Sequence, residues 1–400
     1  MVKKSTIELL APAGNLPTLI TALDAGADAV YFGLQDFNMR ARAKNFTIKD
    51  LPKIKKLCNE KKAKKYLTLN TIIYDQELSK LEKLIKKVKP YVDAIICSDL
   101  AVMLLCKKHK IEFHISTQCS VSNIASAKFY KKLGAKRIVL ARELDLKQIT
   151  KIAKVVDVEV FVHGAMCISV SGRCLMSQFA FGESANRGRC IQPCRRDYTS
   201  VKDSQGKSLR IENNFILSPK DICTLPLIEQ LKKSGIKSIK IEGRNKEPEY
   251  VDTVVKVYRK ALDEKTTHKE IIQGMEQLKK VYNKGFSSGF YLGQPGKDSF
   301  SKVEHSSATQ SKKFIGKIQH YYPKVGVALL KLNNGPLKIN DDLLIISKTS
   351  GLTKAKIHSM EINNVPVKKV EKGESVGIQL PKCKKNDEVY KIIKKMGTTP

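Results

Sequence analysis

The chain has 400 residues, of which 42% are hydrophobic and 28% are charged, and its formal net charge at pH 7 is +34. This length fits one large domain followed by a smaller one. The sequence contains neither the long apolar run of a membrane span nor the apolar core of a signal peptide, so we expect a soluble, cytoplasmic protein with no membrane partner. RNA phosphates as partners would explain the charge. A lysine coat over every solvated face would explain it equally well.

Strand and helix patterns alternate over the first 250 residues. Strands are predicted, in chain order, at IELLAPAG, DAVYFGL, KYLTLNT, DAIICSD, FHISTQC, KRIVLAR, VEVFVHG, NFILSPKD and IKSIKIEGR. Helices are predicted at LPTLITALDAGA, near 48–62 and 76–88, at LAVMLLCKKHK and NIASAKFYKKLG, near 145–154 and 224–234, and from Glu247 to about Asp263. The strands are apolar on both faces, which is typical of a covered parallel sheet. About eight such units favour an α/β fold of the TIM-like (β/α) barrel type, and no G-x-G-x-x-G follows the first strand to favour a dinucleotide-binding sheet.

The pattern changes near residue 312. Short alternating strands separated by Gly, Asn and Asp turns indicate a small all-β barrel. We therefore assign 1–295 to the (β/α) barrel, with a cysteine-rich insert at 163–198. Residues 296–313 form the predicted linker, and 314–395 the C-terminal β-barrel.

Polar residues follow many of the apolar strands at the carboxyl end, where barrels of this type carry their working residues. Those with predicted binding or catalytic roles are Asn70, Gln118, Arg142, His163, Glu242 and Arg244. Other strand ends carry Asp99 and Asp221, which are good helix caps and need no further role. The set predicts a pocket for a polar or anionic ligand. His163 is either a general acid or base or a structural, hydrogen-bonded residue.

The insert HGAMCISVSGRCLMSQFAFGESANRGRCIQPCRRDY holds four of the ten cysteines, at Cys167, Cys174, Cys190 and Cys194. In a reducing compartment such clustering indicates metal binding or catalysis. The spacing is C-x6-C and then C-x3-C, and only the second pair fits a zinc knuckle. Four thiolates converging from loops fit a 4Fe-4S cluster, with zinc as the alternative. The remaining cysteines on apolar segments are expected to pack as small hydrophobic residues.

The insert contains five arginines, which would offset the charge of a tetrathiolate cluster or bind an anionic substrate. We include Arg173 and Arg187 among the predicted substrate-binding residues. Cys223 follows at the start of the next predicted helix.

Several segments resemble the collagenase-like proteins classified as peptidase family U, number thirty-two. They are HGAMCISVSGRCLMS, NRGRCIQPCR, LSPKDIC, IKIEGRNKEPEYVDTVVKVYRKALD, LLAPAGN and ALDAGADAVYFGL. The resemblance covers nearly the whole chain, including the terminal β-domain. It implies one of two activities: a peptidase, or an iron–sulfur protein that supports oxygen-independent hydroxylation of tRNA, ribosomal RNA or a ubiquinone precursor. In some relatives prephenate supplies the hydroxyl chemistry.

The resemblance also implies that Cys167, Cys174 and Cys190 are cluster ligands, with Cys194 as the preferred fourth metal ligand and Cys223 as the alternate. We predict RNA hydroxylation at the tRNA wobble uridine, with a prephenate-like cosubstrate and an electron donor as partners. Proteolysis is the runner-up, and the sequence has neither H-E-x-x-H nor G-x-S-x-G on a strand–turn–helix to support it. A non-catalytic iron–sulfur scaffold is the third hypothesis.

Overall fold

The computed structural model describes residues 4–198, 200–202, 204–210 and 213–395. Up to residue 301 its strands are β1 (Glu8–Pro12), β2 (Ala29–Phe32), β3 (Lys64–Leu69), β4 (Ala94–Cys97), β5 (Phe113–Ile115), β6 (Arg137–Val139), β7 (Val158–Gly164), β8 (Ser200–Lys202), β9 (Ser208–Arg210), β10 (Asp221–Cys223), β11 (Ser238–Ile241) and β12 (Phe286–Ser287). Its α-helices are α1 (Leu16–Asp24), α2 (Leu51–Glu60), α3 (Leu78–Val88), α4 (Leu100–Lys108), α5 (Ile124–Leu133), α6 (Leu146–Ala153), α7 (Met176–Phe181), α8 (Ile228–Lys233), α9 (Pro248–Asp263) and α10 (His268–Lys280).

Eight parallel strands close into a barrel. The order β11-β1-β2-β3-β4-β5-β6-β7 is completed by pairing of β7 with β11, as Ser238↔Glu159 and Ile239↔Val160 show. The predicted TIM-like barrel is therefore confirmed. The strand predicted at NFILSPKD is wrong as a barrel member. Only its last residue, Asp221, lies in β10, and β10 runs antiparallel to the end of β7 outside the closed ring. Helix α10 lies in a stretch for which the sequence predicted no element.

Four of the barrel helices start at a residue whose side chain accepts a hydrogen bond from a free backbone N–H group of the first turn. Asn15, Asp99, Asn123 and Asp145 each accept a backbone hydrogen bond from the first turn of α1, α4, α5 and α6. The apolar faces of these helices pack on the sheet and bury the main core. Because the eight barrel strands are parallel, the connections that follow them emerge at one end of the barrel, where the polar residues lie.

Below this opening the barrel interior contains an ionic network. Glu159 on β7 is fully buried, and its Oε1 accepts a hydrogen bond from Lys240 Nζ at 3.0 Å. Arg137 bridges Glu159 and Glu8, and Tyr66 Oη donates to Glu8 at 2.8 Å. Burial opposes ionisation, yet Lys240 and Arg137 lower the pKa of the Glu159 carboxyl. Strands that the sequence analysis described as apolar on both faces thus also carry a buried layer of charged residues.

The C-terminal region is antiparallel and all-β, as predicted. Its strands are β13 (Gln310–Tyr322), β14 (Val327–Leu332), β15 (Leu337–Lys338), β16 (Asp342–Ser347), β17 (Gly351–Lys356), β18 (Met360–Ile362), β19 (Val365–Pro366), β20 (Lys369–Val370), β21 (Ser375–Gln379) and β22 (Glu388–Lys394). The main sheet has the order β17-β16-β22-β13-β14-β21-β18-β19 and surrounds a second hydrophobic core. Strand β13 starts inside the predicted 296–313 linker, whose earlier part is bonded to the barrel through Ser301 and Ser307.

The β-domain packs against the barrel through β17. Lys354 Nζ lies 2.7 Å from Oδ2 of the buried Asp252 on α9. A Cβ at Gly351, whose φ is +70°, would come within 3.0 Å of Ile20 and Thr21 on α1. Within the described residues, no helix is both long and apolar enough to span a membrane.

Candidate functional site at the carboxyl ends of the barrel strands

Glu242, directly after β11, lies at the centre of the barrel mouth. Its Oε1 is 3.1 Å from Arg40 Nη2, and its Oε2 accepts a hydrogen bond from Tyr31 Oη at 3.2 Å. Burial would raise the pKa of this carboxyl, but Arg40, Arg142 and Arg244 outweigh that effect and lower it. Glu242 is therefore ionised at neutral pH. Three arginines surround one carboxylate, which leaves the mouth with an excess of positive charge.

The Arg244 guanidinium is buried and donates three hydrogen bonds to side chains. Nη1 donates to Thr68 Oγ1 at 2.9 Å, and Nη2 donates to Asn38 Oδ1 at 2.6 Å and to Asn45 Oδ1 at 2.8 Å. Burial and the nearby Arg40 lower its pKa to about 10, so it remains charged at neutral pH. A Cβ at Gly33 would lie 2.5 Å from Arg244 Nη2, which explains the glycine in YFGL.

Arg142, after β6, has an unused donor. Its Nη1 donates to the Ala165 carbonyl at 3.0 Å, and its guanidinium packs on the Phe161 ring at 4.1 Å. Its buried Nε has no hydrogen-bond partner among the described residues. Burial lowers the pKa of Arg142, and Glu242 partly opposes that effect. A buried N–H without a partner is costly, so an anionic ligand at this position would be stabilised.

Two further strand-end residues complete the mouth. Asn70 Nδ2 lies 3.4 Å from Gln118 Oε1 and 3.4 Å from Ser116 Oγ, and Asn70 Oδ1 accepts from Met39 N at 3.2 Å. One cavity is lined by Arg40, Asn70, Gln118, Arg142, Lys240, Glu242 and Arg244 among others. The structure therefore brings five of the predicted residues, Asn70, Gln118, Arg142, Glu242 and Arg244, to one polar pocket.

The four cysteines of the insert line a second cavity, which adjoins the first. Its walls include Cys167, Cys174, Cys190 and Cys194, and it shares Met39, Arg40, Thr117, Gln118 and Arg142 with the polar pocket. Burial raises the pKa of the Cys194 thiol to about 11; Arg195 lowers it, and the other three thiols raise it further. The thiols are thus close enough to interact electrostatically. Cys190 contributes to the raised pKa of Arg40, and Cys167 partly opposes the lowering of the pKa of Arg142.

The insert is held in place by short-range packing and one arginine. Ser177 Oγ on α7 contacts Cys190 Sγ at 3.8 Å. A Cβ at Gly188 would lie 2.1 Å from the Asn38 carbonyl, so NRGRC packs directly on the loop after β2. Arg195 Nη1 donates to Ser218 Oγ at 3.0 Å and to the Pro219 carbonyl at 2.6 Å, while Nη2 donates to the Met166 carbonyl. Arg195 thus ties together the segments that carry Cys167 and Cys194.

The donor set has the right chemistry for an iron–sulfur cluster, because four cysteines from separate turns face one cavity. Within the described ranges, however, no group of three or more His, Cys, Asp or Glu side chains is arranged to hold a single metal ion. A tetrahedral zinc site requires thiolates about 3.8 Å apart, given Zn–S bonds of about 2.3 Å. A four-iron core holds its ligands at separate corners and therefore farther apart. The four thiols that line the cavity are the residues that would hold either group.

The alternate ligand Cys223 lies elsewhere. It is buried on β10, where its Sγ is 3.8 Å from Tyr258 Oη and 3.6 Å from Met275 Sδ. Burial raises its pKa to about 11. Cys223 does not line the thiol cavity, which favours Cys194 as the fourth cysteine.

His163 is outside both cavities. Its ring is buried among Tyr250, Tyr258 and Phe286, with centroid distances of 5.5–6.0 Å, and its Nδ1 has no partner among the described residues. Burial and then Lys246 lower its pKa to about 3. The imidazole is neutral at physiological pH and has no access to the mouth, so the structure favours a packing role over acid–base catalysis.

The structure separates the two predicted arginines of the insert from the polar pocket. Arg187 pairs with Glu77, with Nη2 2.5 Å from Oε1, and packs over the Tyr74 ring. Arg173 is exposed. Arg40, Tyr31 and Lys240 were missed, although the arginine- and asparagine-rich loop FNMRARAKN directly after the second strand signalled the position of Arg40.

The fold and the site define a class: a closed (β/α) barrel whose carboxyl-end mouth joins a polar, arginine-rich pocket to a cavity lined by four thiols. The model of peptidase family U32 matches residues 14–301, and the chain belongs to this family. This confirms the family membership that the resemblance of the sequence segments implied.

Relatives in this family carry different names. A protein named collagenase from Porphyromonas gingivalis is 38% identical, covering 97% of this chain and 98% of its own length. A protein named tRNA hydroxylation protein P1 from Bacillus subtilis is 36% identical, covering 82% of this chain and 80% of its own. A 23S rRNA 5-hydroxycytidine synthase from Escherichia coli is 40% identical over 66% of this chain and 40% of its own length.

Proposed function

We propose that this protein is an RNA hydroxylation enzyme that carries a 4Fe-4S cluster on Cys167, Cys174, Cys190 and Cys194 and acts on tRNA, at the wobble uridine. The observation that carries the proposal is the continuity of the thiol cavity with the arginine-rich pocket, which share Arg40, Gln118 and Arg142. A redox centre and a small anionic cosubstrate would thus lie side by side. The cluster, when bound, would supply one-electron redox chemistry.

RNA is supported as the substrate by two independent features. Relatives at 36–40% identity are named for hydroxylation of tRNA and for 5-hydroxycytidine synthesis in 23S rRNA. The net charge of +34 has the sign that a polyanionic partner requires, since each phosphate contact releases counterions, although a lysine coat explains the charge equally well. The alignment with the tRNA-related protein covers more of both chains, which favours tRNA over ribosomal RNA.

A small carboxylate such as prephenate is proposed as the cosubstrate. Replacing C–H by C–OH on a base adds an oxygen atom and removes two electrons. The enzyme therefore needs either a cosubstrate that donates the hydroxyl group and takes up the two electrons, or water together with an electron acceptor. The free Arg142 Nε and the positive excess around Glu242 support binding of a carboxylate. Asn70 and Gln118 would orient its neutral groups through their amides.

Proteolysis remains the second candidate because of the relative named collagenase, which aligns over nearly its full length. A cysteine protease requires a base within hydrogen-bond reach of its nucleophile. No histidine is found in the described lining of either cavity, and His163 is enclosed by aromatic rings. The site geometry therefore favours hydroxylation.

Comparison of modified nucleosides tests the proposal. Mass spectrometry of tRNA and ribosomal RNA from a strain lacking the protein should show loss of one hydroxylated pyrimidine nucleoside. The wild-type chain should restore it, and a Cys167→Ala, Cys174→Ala variant should not. An unchanged nucleoside profile, together with gelatin cleavage by the pure protein, would establish the peptidase instead.

A further inference from the structure

Apolar side chains are exposed together on the outer side of the cysteine insert. Phe179 on α7 is 84% exposed, and Leu175, Phe181 and Val170 are 52%, 42% and 41% exposed. Leu175 and Phe179 are four residues apart, so they lie on the same face of α7. The opposite side of this helix faces inward, where buried Ser177 contacts Cys190. The exposed Phe179 ring therefore lies on the side of α7 opposite to the thiol cavity.

Arginines accompany these apolar groups. The Arg196 guanidinium lies over the Phe181 ring at 4.6 Å. Arg42 and Arg189, whose side chains are 52% and 67% exposed, share the single carboxylate of Glu183 at 3.6 and 3.9 Å. The insert contains five arginines, no lysine and two acidic residues, although lysine is the commoner cation in the rest of the chain. This combination of an aromatic face and planar guanidinium groups is the chemistry that recognises unstacked bases and their phosphates.

We infer that this rim, defined by Leu175, Phe179, Phe181, Arg189 and Arg196, is the surface on which a single-stranded RNA loop docks, with one unstacked base on the Phe179 ring. The inference rests on the proposed function and extends it to the mode of substrate recognition. A base inside a helix cannot enter the mouth, so a nucleotide must leave its stack before it reaches the cavity. A ring at the cavity rim would hold a neighbouring base of the loop and keep the strand in register.

A protein partner is the competing occupant, and charge argues against it. Aromatic and arginine side chains are enriched in protein–protein interfaces as well, so the net charge of the rim decides between the two occupants. The positive excess of the insert is complementary to phosphate. A second copy of this chain would carry the same excess and would be repelled.

Binding to RNA with and without loops provides the test. The anaerobically purified full-length protein is titrated with fluorescent bulk tRNA and with a blunt RNA duplex of similar length. Phe179→Ala should weaken tRNA binding by about 5- to 150-fold, the range expected for loss of one stacked base. Duplex binding should be unchanged. Phe179→Trp should retain wild-type affinity because any aromatic ring can stack.

Salt dependence separates stacking from charge. Arg189→Ala should lower the slope of log affinity against log salt by about one, whereas Phe179→Ala should leave the slope unchanged. Phe129→Ala is the matched control, since Phe129 on α5 is 60% exposed outside the insert. It should bind tRNA as the wild type does. Iron content and the unfolding midpoint of each variant report whether the insert is intact.

Three results would overturn the inference. Wild-type affinity of Phe179→Ala for tRNA would exclude stacking at this position. An equal loss of affinity for tRNA and for the duplex in Phe179→Ala would show that the ring does not bind unstacked bases. If Phe179→Ala no longer self-associates on gel filtration while its affinity for tRNA is unchanged, the rim is the contact surface for a second copy of this chain. If the wild-type protein binds neither tRNA nor the duplex, the proposed function itself fails. That result differs from failure of the docking surface alone, in which the wild-type protein still binds tRNA.

Discussion

Glu242 and Arg40 form an ion pair across the mouth of the barrel, with Oε1 and Nη2 3.1 Å apart. The carboxylate follows β11, whereas the arginine comes from the loop after β2. Closure of the barrel brings these two distant segments together. Because Arg142 and Arg244 also lower the pKa of Glu242, this one carboxylate offsets three cations. Removing it tests the electrostatic design of the pocket.

Glu242→Gln should lower the free energy of unfolding by about 2–3 kcal/mol at pH 7. This is less than the 3–5 kcal/mol typical of a fully buried pair, because Arg40 is one-third exposed. The folded pKa of Glu242 is lowered, so its contribution is present above the unfolded pKa of about 4.3 and is lost as the pH falls through the folded pKa. Urea unfolding from pH 7 to pH 3 should show the two proteins converging in acid. Glu304→Gln, at an exposed pair, is the control, and equal stabilities of wild type and Glu242→Gln at pH 7 would contradict the prediction.

Alanine substitution at each of the four cavity cysteines, Cys167, Cys174, Cys190 and Cys194, should abolish or sharply reduce bound iron and the visible thiolate-to-iron absorption. Cys223→Ala should retain iron, because its thiol contacts Tyr258 and Met275 away from the cavity. Iron analysis and absorption of anaerobically purified variants give the measurement. Retention of iron by Cys194→Ala and its loss from Cys223→Ala would reverse our assignment of the fourth ligand. A colourless wild-type protein that contains zinc would exclude the cluster.

Arg195 should act as a positioning residue for the thiols. Arg195→Lys keeps the charge but replaces two separate nitrogens with one, which cannot reach the acceptors of both Nη1 (Ser218 and Pro219) and Nη2 (Met166). The segments of Cys167 and Cys194 should therefore separate more easily. We expect iron release to a chelator to accelerate about tenfold or more, equivalent to loss of about 1.4 kcal/mol. Arg196→Lys, at the neighbouring exposed position, should release iron at the wild-type rate. Identical release from Arg195→Lys and wild type would show that the hydrogen bonds of Arg195 do not hold the cavity together.

His163 should contribute to acid sensitivity and not to catalysis. Its folded pKa of about 3 lies below the unfolded value of about 6.5, so the unfolded chain binds one more proton between these values. The stability associated with neutral His163 is therefore full above pH 6.5 and declines toward pH 3, by up to about 1.4 kcal/mol per pH unit. His163→Leu should flatten this part of the curve of unfolding free energy against pH. A loss of hydroxylation by His163→Leu with unchanged stability would restore a catalytic role.

The alternation of apolar strands and capped helices was enough to predict the barrel, because each unit is encoded locally. The eighth strand was harder to assign. NFILSPKD is apolar enough to resemble a barrel strand, but the chain directly after it pairs antiparallel with the end of β7 through Ile222 and Cys223, and sequence periodicity does not reveal strand direction. The strand-end rule located Glu242 and Arg244 correctly because both immediately follow β11.

Residues whose roles depend on tertiary contacts could not be predicted. Lys240 and Glu159 lie within apolar strands, where their pairing at 3.0 Å is visible only once β7 and β11 are neighbours. His163 follows the strand-end rule yet points away from the mouth, since alternate strand residues face opposite sides. Arg187 was one of five arginines in a single segment, and only the fold shows that it pairs with Glu77.

Arg142 should be the main contact of the anionic cosubstrate, because its buried Nε has no partner among the described residues. A small dicarboxylate, prephenate or malonate, should raise the unfolding temperature of the wild-type protein. Binding to the folded state alone contributes about 2.7 kcal/mol at a hundred times the dissociation constant. Arg142→Gln should lose most of this stabilisation, and Arg142→Lys should recover only part of it, because an ammonium group lacks the planar pair of donors. Chloride at equal ionic strength controls for general screening. Equal stabilisation of wild type and Arg142→Gln by the dicarboxylate would place the anion elsewhere and would leave the unused Nε without a ligand.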